Sequence, residues 1–175
     1  MINYPTIVVE NFFDNPDSVV ELTTKLDFFP AKERENWPGF RSKNLLITNK
    51  KLFEFICKKF VELYFNFCSD ESAFDYEDVE ILFHKFNYKD EKEIKGLIHT
   101  DQRQLAGVIY LNKGVTDEDT GTSIYDKDNK RIVKVSNNYN TLVAYDGKRN
   151  HGATGFNDKE RLTIVIFFKR LKLTP

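Results

Sequence analysis

The sequence predicts a mainly β protein with helices in its N-terminal part, and three observations lead to this fold class. First, apolar residues recur at helical spacing in the part of the chain before Ser69-Asp70. Second, short runs rich in Val, Ile, Tyr and Phe then alternate with clusters of Gly, Asn and Asp, which is typical of strands and turns. Third, these runs are closely spaced, which favours a sandwich or a barrel over a parallel α/β sheet.

The length and composition of the chain fit one domain with a sizeable core. Of the 175 residues, 41% are apolar and 16 are phenylalanine, so we expect a packed interior rather than disorder. No repeat, low-complexity tract or obvious linker divides the sequence. We therefore predict a single domain over 1–175, with a helical N-terminal part at about 1–70 and a β core at about 79–171.

The N-terminal part begins with a strand candidate, Thr6–Glu10, and continues with two helices. The first helix starts at Asn15-Pro16-Asp17, because asparagine can cap a helix, proline suits its first turn and aspartate favours its positive end. Residues 30–44 are polar and interrupted by two prolines and a glycine, which predicts a loop. A longer helix is expected over Asn49–Phe67, with leucine, isoleucine and phenylalanine along one side.

The second part of the chain contains seven strand candidates. One pair of them is joined by the hairpin turn Asp126-Lys127-Asp128-Asn129. The candidates are Val79–Tyr88, Ile94–His99, Leu105–Leu111, Thr122–Asp126, Arg131–Val135, Thr141–Tyr145 and Leu162–Leu171.

Charge and cysteine content narrow the classes of partner. The 26 basic and 27 acidic side chains nearly cancel, so nucleic acid is not an expected partner. No apolar run is long enough to cross a bilayer and no secretory leader pattern is present, so we predict no membrane association. The two cysteines, Cys57 and Cys68, have neither zinc-site spacing nor the density of a disulfide scaffold, which favours a reducing, cytoplasmic location.

The three histidines of the chain include two candidate metal ligands. His99 and Asp101 are two residues apart, so on a strand both side chains point to the same face. His151 follows fifty residues later, after the strand candidate Thr141–Tyr145. Two histidines and one carboxylate are the facial triad of non-haem Fe(II) oxygenases. The His99–Asp101 pair alone is weak, since a histidine in a strand is more often a packed or surface residue.

Arg161 strengthens the case for an oxygenase site. It lies ten residues after His151 at the start of an apolar strand, with Thr163 on the same face. An inward-facing guanidinium has a steep burial cost unless it meets an anion, and the far carboxylate of 2-oxoglutarate meets that need. The alternative is a surface arginine that pairs with Glu160 or Asp158.

These residues resemble the HxD…H…RxS/T pattern of the Fe(II)/2-oxoglutarate dioxygenases, and the prolyl-hydroxylase-like branch is the most similar. The run Ala106–Asn112 is similar to the strand of that branch that ends in Tyr-Leu-Asn, which implies that Tyr110 binds the distal carboxylate of 2-oxoglutarate. Thr120-Gly121-Thr122-Ser123 stands where the family places a glycine at the start of a strand. The likeness covers about residues 79–171 and is looser in the N-terminal part.

The resemblance implies a double-stranded β-helix, or jelly roll, with the N-terminal helices on the outer face of one sheet. It also implies Fe(II) as cofactor, held by His99, Asp101 and His151, with 2-oxoglutarate as cosubstrate. Arg161 would bind the cosubstrate, helped by Tyr110 and Thr163. Dioxygen would be consumed and a C–H bond hydroxylated, on a protein side chain, a free amino acid or another small metabolite.

Several alternatives stay open at this point. Relatives place a cosubstrate-facing tyrosine on the strand before the first histidine; here Asn87 is the candidate, Tyr88 the weaker one, and His84 a structural residue. Arg41 could meet an acidic group of a substrate, although a surface or helix-pairing role is more ordinary. A jelly-roll binding module without catalysis, or a cupin-type metal enzyme without 2-oxoglutarate, are the rival functions, and the oligomeric state is open.

Overall fold

A computed structural model describes residues 4–33, 35, 37–65, 75–87, 98–114, 120–154 and 160–171. Its strands are β1 Ile7–Val9, β2 Phe28–Pro30, β3 Phe40–Ser42, β4 Val79–Asn87, β5 Leu105–Tyr110, β6 Gly121–Tyr125, β7 Arg131–Ser136, β8 Thr141–Asp146, β9 His151–Thr154 and β10 Glu160–Phe168. Its helices are α1 Pro16–Leu22, α2 Leu45–Thr48 and α3 Lys50–Glu62.

The strands form two sheets. The large sheet has seven strands in the order β1-β8-β5-β10-β4-β3-β2, and the small sheet has three in the order β7-β6-β9. Neighbouring strands pair antiparallel throughout. The protein is thus mainly β, and the prediction of a jelly roll with N-terminal helices is confirmed.

The two faces of the large sheet bury different partners, because side chains alternate along each strand. On the outer face, Phe53, Ile56 and Phe60 of α3 pack against alternate residues of the central strands, such as Ile109 and Ile166. On the inner face, a smaller apolar cluster lies between the two sheets. It contains Ala106, Val108, Tyr110, Ile124, Val135, Val143, Tyr145 and Val165.

Local signals in the sequence account for most of the elements. The Asn15 side chain caps α1 by accepting a hydrogen bond from the Ser18 amide, and the Asn49 side chain caps α3 in the same way at Leu52. Six of the seven strand candidates in the second half match strands of the two sheets. Ile94–His99 lies mostly outside the described residues, as does the predicted end of the long helix at Phe67.

The prediction of a loop over 30–44 is wrong in one part. Residues Phe40–Ser42 form β3, which pairs with β4 through Phe40 opposite Lys85 and Arg41 opposite His84. The pairing partner lies more than forty residues away in the sequence, and the neighbouring proline and glycine have the character of a turn. The strand therefore depends on a long-range contact that local patterning does not reveal.

Candidate active site

His99, Asp101 and His151 converge at one end of the space between the sheets. The backbones of His99 and His151 exchange two hydrogen bonds of 2.9 Å, which fixes the two histidines opposite each other. The Asp101 amide donates to the carbonyl of Gly147 at 2.9 Å, so the carboxylate is held beside them. The metal-binding atoms of the three side chains all lie within 4.8 Å of one another.

The geometry of these three side chains fits one metal ion. Asp101 Oδ2 lies 3.1 Å from His151 Nε2, and Asp101 Oδ1 lies 3.4 Å from His99 Nε2. Ligand atoms about 2.1 Å from a metal and at right angles to each other lie about 3 Å apart. Asp101 Oδ2 is buried and accepts no well-aligned hydrogen bond, which leaves its lone pairs available to a cation.

The protonation states of the three groups also suit a cation. Burial alone would raise the pKa of Asp101, but hydrogen bonds and charge from His151 and His99 outweigh it and hold that pKa well below its usual range. His151 Nδ1 lies 2.9 Å from the carbonyl oxygen of Arg149 and donates to it, because a carbonyl can only accept. Because Nδ1 is engaged by this carbonyl, His151 Nε2, the atom beside Asp101, is the nitrogen that would give its lone pair to a bound cation.

Arg161 lies in the same cavity as the triad and is 3% exposed. Its Nη1 donates to the carbonyl of Gly121 at 3.2 Å and its Nη2 to Thr122 Oγ1 at 3.5 Å, while its Nε is buried without a partner. The guanidinium carbon lies 5.3 Å from the centre of the Phe86 ring and 5.4 Å from that of Tyr110. No described carboxylate forms an ion pair with it, so this buried cation is left to meet an anion in the cavity.

The other predicted cosubstrate residues lie around Arg161, with one exception. Tyr110 is fully buried and its hydroxyl donates to Thr122 Oγ1 at 2.7 Å. Thr163 lines the cavity, and its hydroxyl donates to the His84 carbonyl at 3.3 Å. The backbone of Asn87 pairs with Glu160 at the end of β4, but its side chain lies outside the described residues, as does Tyr88.

The sequence reasoning missed several residues of this site. The Thr122 hydroxyl accepts hydrogen bonds from both Tyr110 and Arg161. Its position directly after Gly121, at the start of a strand, is the feature of the sequence that could have indicated this role. His84 and Phe86 are the described residues of the second half of β4 that line the cavity. Tyr145 is buried with its ring centre 4.6 Å from that of His151.

The cavity has a volume of about 450 Å³ and reaches from the triad to Arg161 and Thr163. This size is within the range of small-molecule sites in proteins. Apolar side chains, among them Phe86, Val165 and Phe167, form much of its wall. Such walls limit the access of water and strengthen the electrostatic interactions inside.

One wall of the cavity comes from the N-terminal part of the chain. Pro38 and Trp37 line it, and the Pro38 carbonyl accepts a 2.6 Å hydrogen bond from His84 Nε2. Burial, with a further contribution from the charge of Arg41, lowers the pKa of His84 to about 3, so the ring is neutral and carries its proton on Nε2. Gly39 has φ +69°, and a Cβ there would lie 2.3 Å from Phe86 Cβ, so the segment can approach β4 only with glycine.

The fold and the three converging ligands define a jelly-roll protein able to hold one metal ion. A sequence profile described as the 2OG-Fe(II) oxygenase superfamily matches residues 83–169, and the chain belongs to this superfamily. Its members use Fe(II) and 2-oxoglutarate, and the chain is a 2-oxoglutarate-dependent oxygenase. A comparison with curated proteins gives no significant match.

Solved structures of low sequence identity share the fold. A prolyl 4-hydroxylase from Pseudomonas putida has a TM-score of 0.56 and 18% identity, over 94% of this chain and 92% of that chain. A 2OG-Fe(II) oxygenase family oxidoreductase from Burkholderia pseudomallei has 0.62 and 12%, over 93% and 84%. A prolyl hydroxylase from Trichoplax adhaerens, solved with a peptide fragment of the hypoxia inducible factor oxygen degradation domain, has 0.62 and 13%, over 94% and 83%.

Among the described residues, no helix combines the length and the apolar character needed to span a membrane.

Proposed function

We propose that this oxygenase hydroxylates an unactivated C–H bond of an amino-acid side chain or of a similar small metabolite. In this proposal His99, Asp101 and His151 hold Fe(II), and Arg161 binds the distal carboxylate of 2-oxoglutarate. The observation that carries the proposal is a single cavity with three converging metal ligands and a buried arginine that has no carboxylate partner among the described residues. Candidates for both parts of a 2-oxoglutarate oxygenase site therefore line the same cavity.

Fe(II), when bound, supplies the redox chemistry of the reaction. In that reaction dioxygen oxidises 2-oxoglutarate to succinate and carbon dioxide and also hydroxylates the substrate. His99, Asp101 and His151 would hold Fe(II) with two imidazoles and one carboxylate, the ligand set of non-haem Fe(II) oxygenases. The bond from His151 Nδ1 to the Arg149 carbonyl leaves Nε2 as the nitrogen that would bind the metal. The Arg149 carbonyl would therefore orient the His151 ring towards the metal.

Arg161 fixes the orientation of the cosubstrate in this mechanism. A guanidinium can bind a carboxylate through two parallel hydrogen bonds, and Arg161 is already positioned by Gly121 and Thr122. The rings of Phe86 and Tyr110 lie beside the guanidinium and keep water away from the pair. Thr163 lies on the same face of β10, and its hydroxyl would assist Arg161 in binding the cosubstrate.

One related structure and the size of the cavity bear on the substrate class. The Trichoplax adhaerens structure holds a peptide, which supports a side chain of a peptide or protein as substrate. A free amino acid carries the same kind of C–H bond and fits a cavity of about 450 Å³.

Anaerobic addition of Fe(II) and 2-oxoglutarate tests the proposal. We expect a weak visible charge-transfer band under argon and slow succinate formation after admission of air. His99→Ala or Asp101→Ala should abolish both signals, because the two ligands that remain do not retain the ion. If the wild-type protein gives neither signal, the proposal fails.

A further inference from the structure

We propose that Arg41, which stacks on Trp37, binds a carboxylate of the substrate, so that the substrate of this oxygenase is an acid. This inference rests on the proposed function, since it assigns the position of the substrate in the same cavity. The two residues lie on the wall that the N-terminal part contributes. The argument depends on what Arg41 contacts, what its acidic neighbours contact, and where it lies relative to Arg161.

Arg41 is a half-buried cation that forms no ion pair with the residues that the structure describes. Its guanidinium carbon lies 4.4 Å from the centre of the Trp37 ring and 5.7 Å from that of Phe167. Its Nε is buried without a hydrogen bond, and no described carboxylate lies within ion-pair distance. A planar guanidinium that lies on aromatic rings through its face can still use the N–H groups of its edge to bind a carboxylate.

The acidic side chains that attract Arg41 already have other partners. Its charge interacts with Asp101, Glu80 and Glu35. Asp101 contacts both histidines of the triad, and Glu80 Oε2 lies 3.4 Å from Arg103 Nη2. Glu35 Oε2 accepts a 2.9 Å hydrogen bond from the amide of Lys32 in its own turn. The described part of the chain therefore surrounds Arg41 with negative potential but pairs none of its carboxylates with it.

The guanidinium groups of Arg41 and Arg161 lie against different parts of the cavity wall. Arg161 lies beside the rings of Phe86 and Tyr110. Arg41 lies beside the rings of Trp37 and Phe167. One cation can therefore hold the cosubstrate while the other holds a second acid.

Arg41 is also held in position before any ligand binds. Its backbone pairs with His84 in the sheet, and the His84 ring bonds to the carbonyl of Pro38, three residues before Arg41. Trp37 and Arg41 line both this cavity and a neighbouring one of about 410 Å³, so they stand at the junction of the two. An acid bound there could be a small molecule within the first cavity or part of a peptide that extends into the second.

Trp37 makes a direct binding test possible, because it is the only tryptophan of the chain. Its emission is followed under argon in protein loaded with Fe(II) and saturating 2-oxoglutarate. One probe panel consists of free L-amino acids beside the matching amino-acid amides. The other consists of capped peptides with one Asp or Glu beside the same peptides with Asn or Gln. The two panels separate the small-molecule source of the carboxylate from the peptide source.

The variants are Arg41→Met, which removes the charge, and Arg41→Lys, which keeps the charge but loses the flat fork. Arg131→Met is the matched control, because Arg131 is exposed on β7 and lines neither cavity. We expect at least one acid to change Trp37 emission with an affinity about tenfold or more above that of its amide. Arg41→Met should weaken that acid by about tenfold or more, Arg41→Lys by less, and Arg131→Met not at all.

Three results would overturn the inference: amides that bind as well as acids, an Arg41→Met protein that binds acids like Arg131→Met, or no response to either panel. The Fe(II)/2-oxoglutarate band is recorded in the same samples. If the band is present and the acid effect is absent, only this inference fails. If the wild-type band is absent, the proposed function itself fails.

Discussion

The two faces of the seven-stranded sheet are built from the same strands, yet the outer face packs against the helices and the inner face lines the candidate active site. On β10, Ile164, Ile166 and Phe168 point to the helices and are fully buried among apolar residues. The residues between them point into the cavity, where Arg161 and Thr163 lie. Because side chains alternate along a strand, a residue that packs in the outer core is followed directly by a residue that faces the cavity.

The same division holds on β4. Ile81 and Phe83 belong to the outer core, whereas His84 and Phe86 line the cavity. A one-residue shift of either strand would exchange the two sets of side chains. Substitutions at neighbouring positions should thus affect different properties, and five substitutions test this division.

The largest effect on stability is expected on the outer face. Ile166→Ala removes a fully buried side chain beneath the helices and should lower the free energy of unfolding by about 2–5 kcal/mol. Val165→Ala is the matched control on the inner face, where the lost methyl groups enlarge an existing cavity, and should cost about 1–2 kcal/mol. Urea denaturation of both proteins checks this. Equal costs would contradict the division.

On the inner face the largest effect is expected at Arg161. Arg161→Met keeps the length of the side chain and removes two charge-assisted hydrogen bonds, so 2-oxoglutarate should bind about a hundredfold more weakly. Calorimetric titration under argon with Fe(II) measures the affinity. Ile166→Ala, in conditions where it is folded, should bind 2-oxoglutarate like the wild type; a parallel loss there would show that the two faces are coupled.

His84 should make stability depend on pH. Its pKa is about 3 in the folded protein, against 6.5 for an ordinary histidine, because burial disfavours the charged ring. Between these values the unfolded chain binds a proton that the folded chain does not, so stability falls as the pH is lowered below 6.5. The slope from this group is about 1.4 kcal/mol per pH unit. Denaturation of metal-free protein between pH 7 and 5 should show a shallower slope in His84→Gln; an unchanged slope would refute the burial of a neutral ring.

The smallest effect is expected at Thr163. Thr163→Val keeps the shape of the side chain but removes the hydroxyl, and should raise the dissociation constant of 2-oxoglutarate about fivefold. The unfolding free energy should change by about 1 kcal/mol or less, since the hydroxyl makes one 3.3 Å bond to the His84 carbonyl. An effect as large as that of Arg161→Met would mean that the hydroxyl and not the guanidinium is the principal anchor.

Much of the site could be predicted from the sequence because its geometry follows from local rules. The two-residue spacing of His99 and Asp101, and that of Arg161 and Thr163, places each pair on one side of the chain. Three histidines in the whole chain left few combinations to consider. The strand candidates came from β-branched and aromatic runs bounded by turns, and most of them match strands of the structure.

The wall around Trp37 and Arg41 could not be predicted in this way. Its position depends on β3 pairing with β4 and on the close approach of Gly39 to Phe86, and both contacts join segments more than forty residues apart. His84 was interpreted as a structural residue, and it does bind the Pro38 carbonyl, but its ring also faces the cavity. Contacts of this kind are decided by tertiary packing and leave no periodic signal in the sequence.

The central claim is that His99, Asp101 and His151 hold one metal ion. Equilibrium dialysis of the protein against Fe(II) under argon tests it most directly. The account predicts one Fe(II) per chain in the wild type and in Arg161→Met, and none retained at the same free concentration in Asp101→Ala. A full equivalent of Fe(II) in folded Asp101→Ala would contradict it.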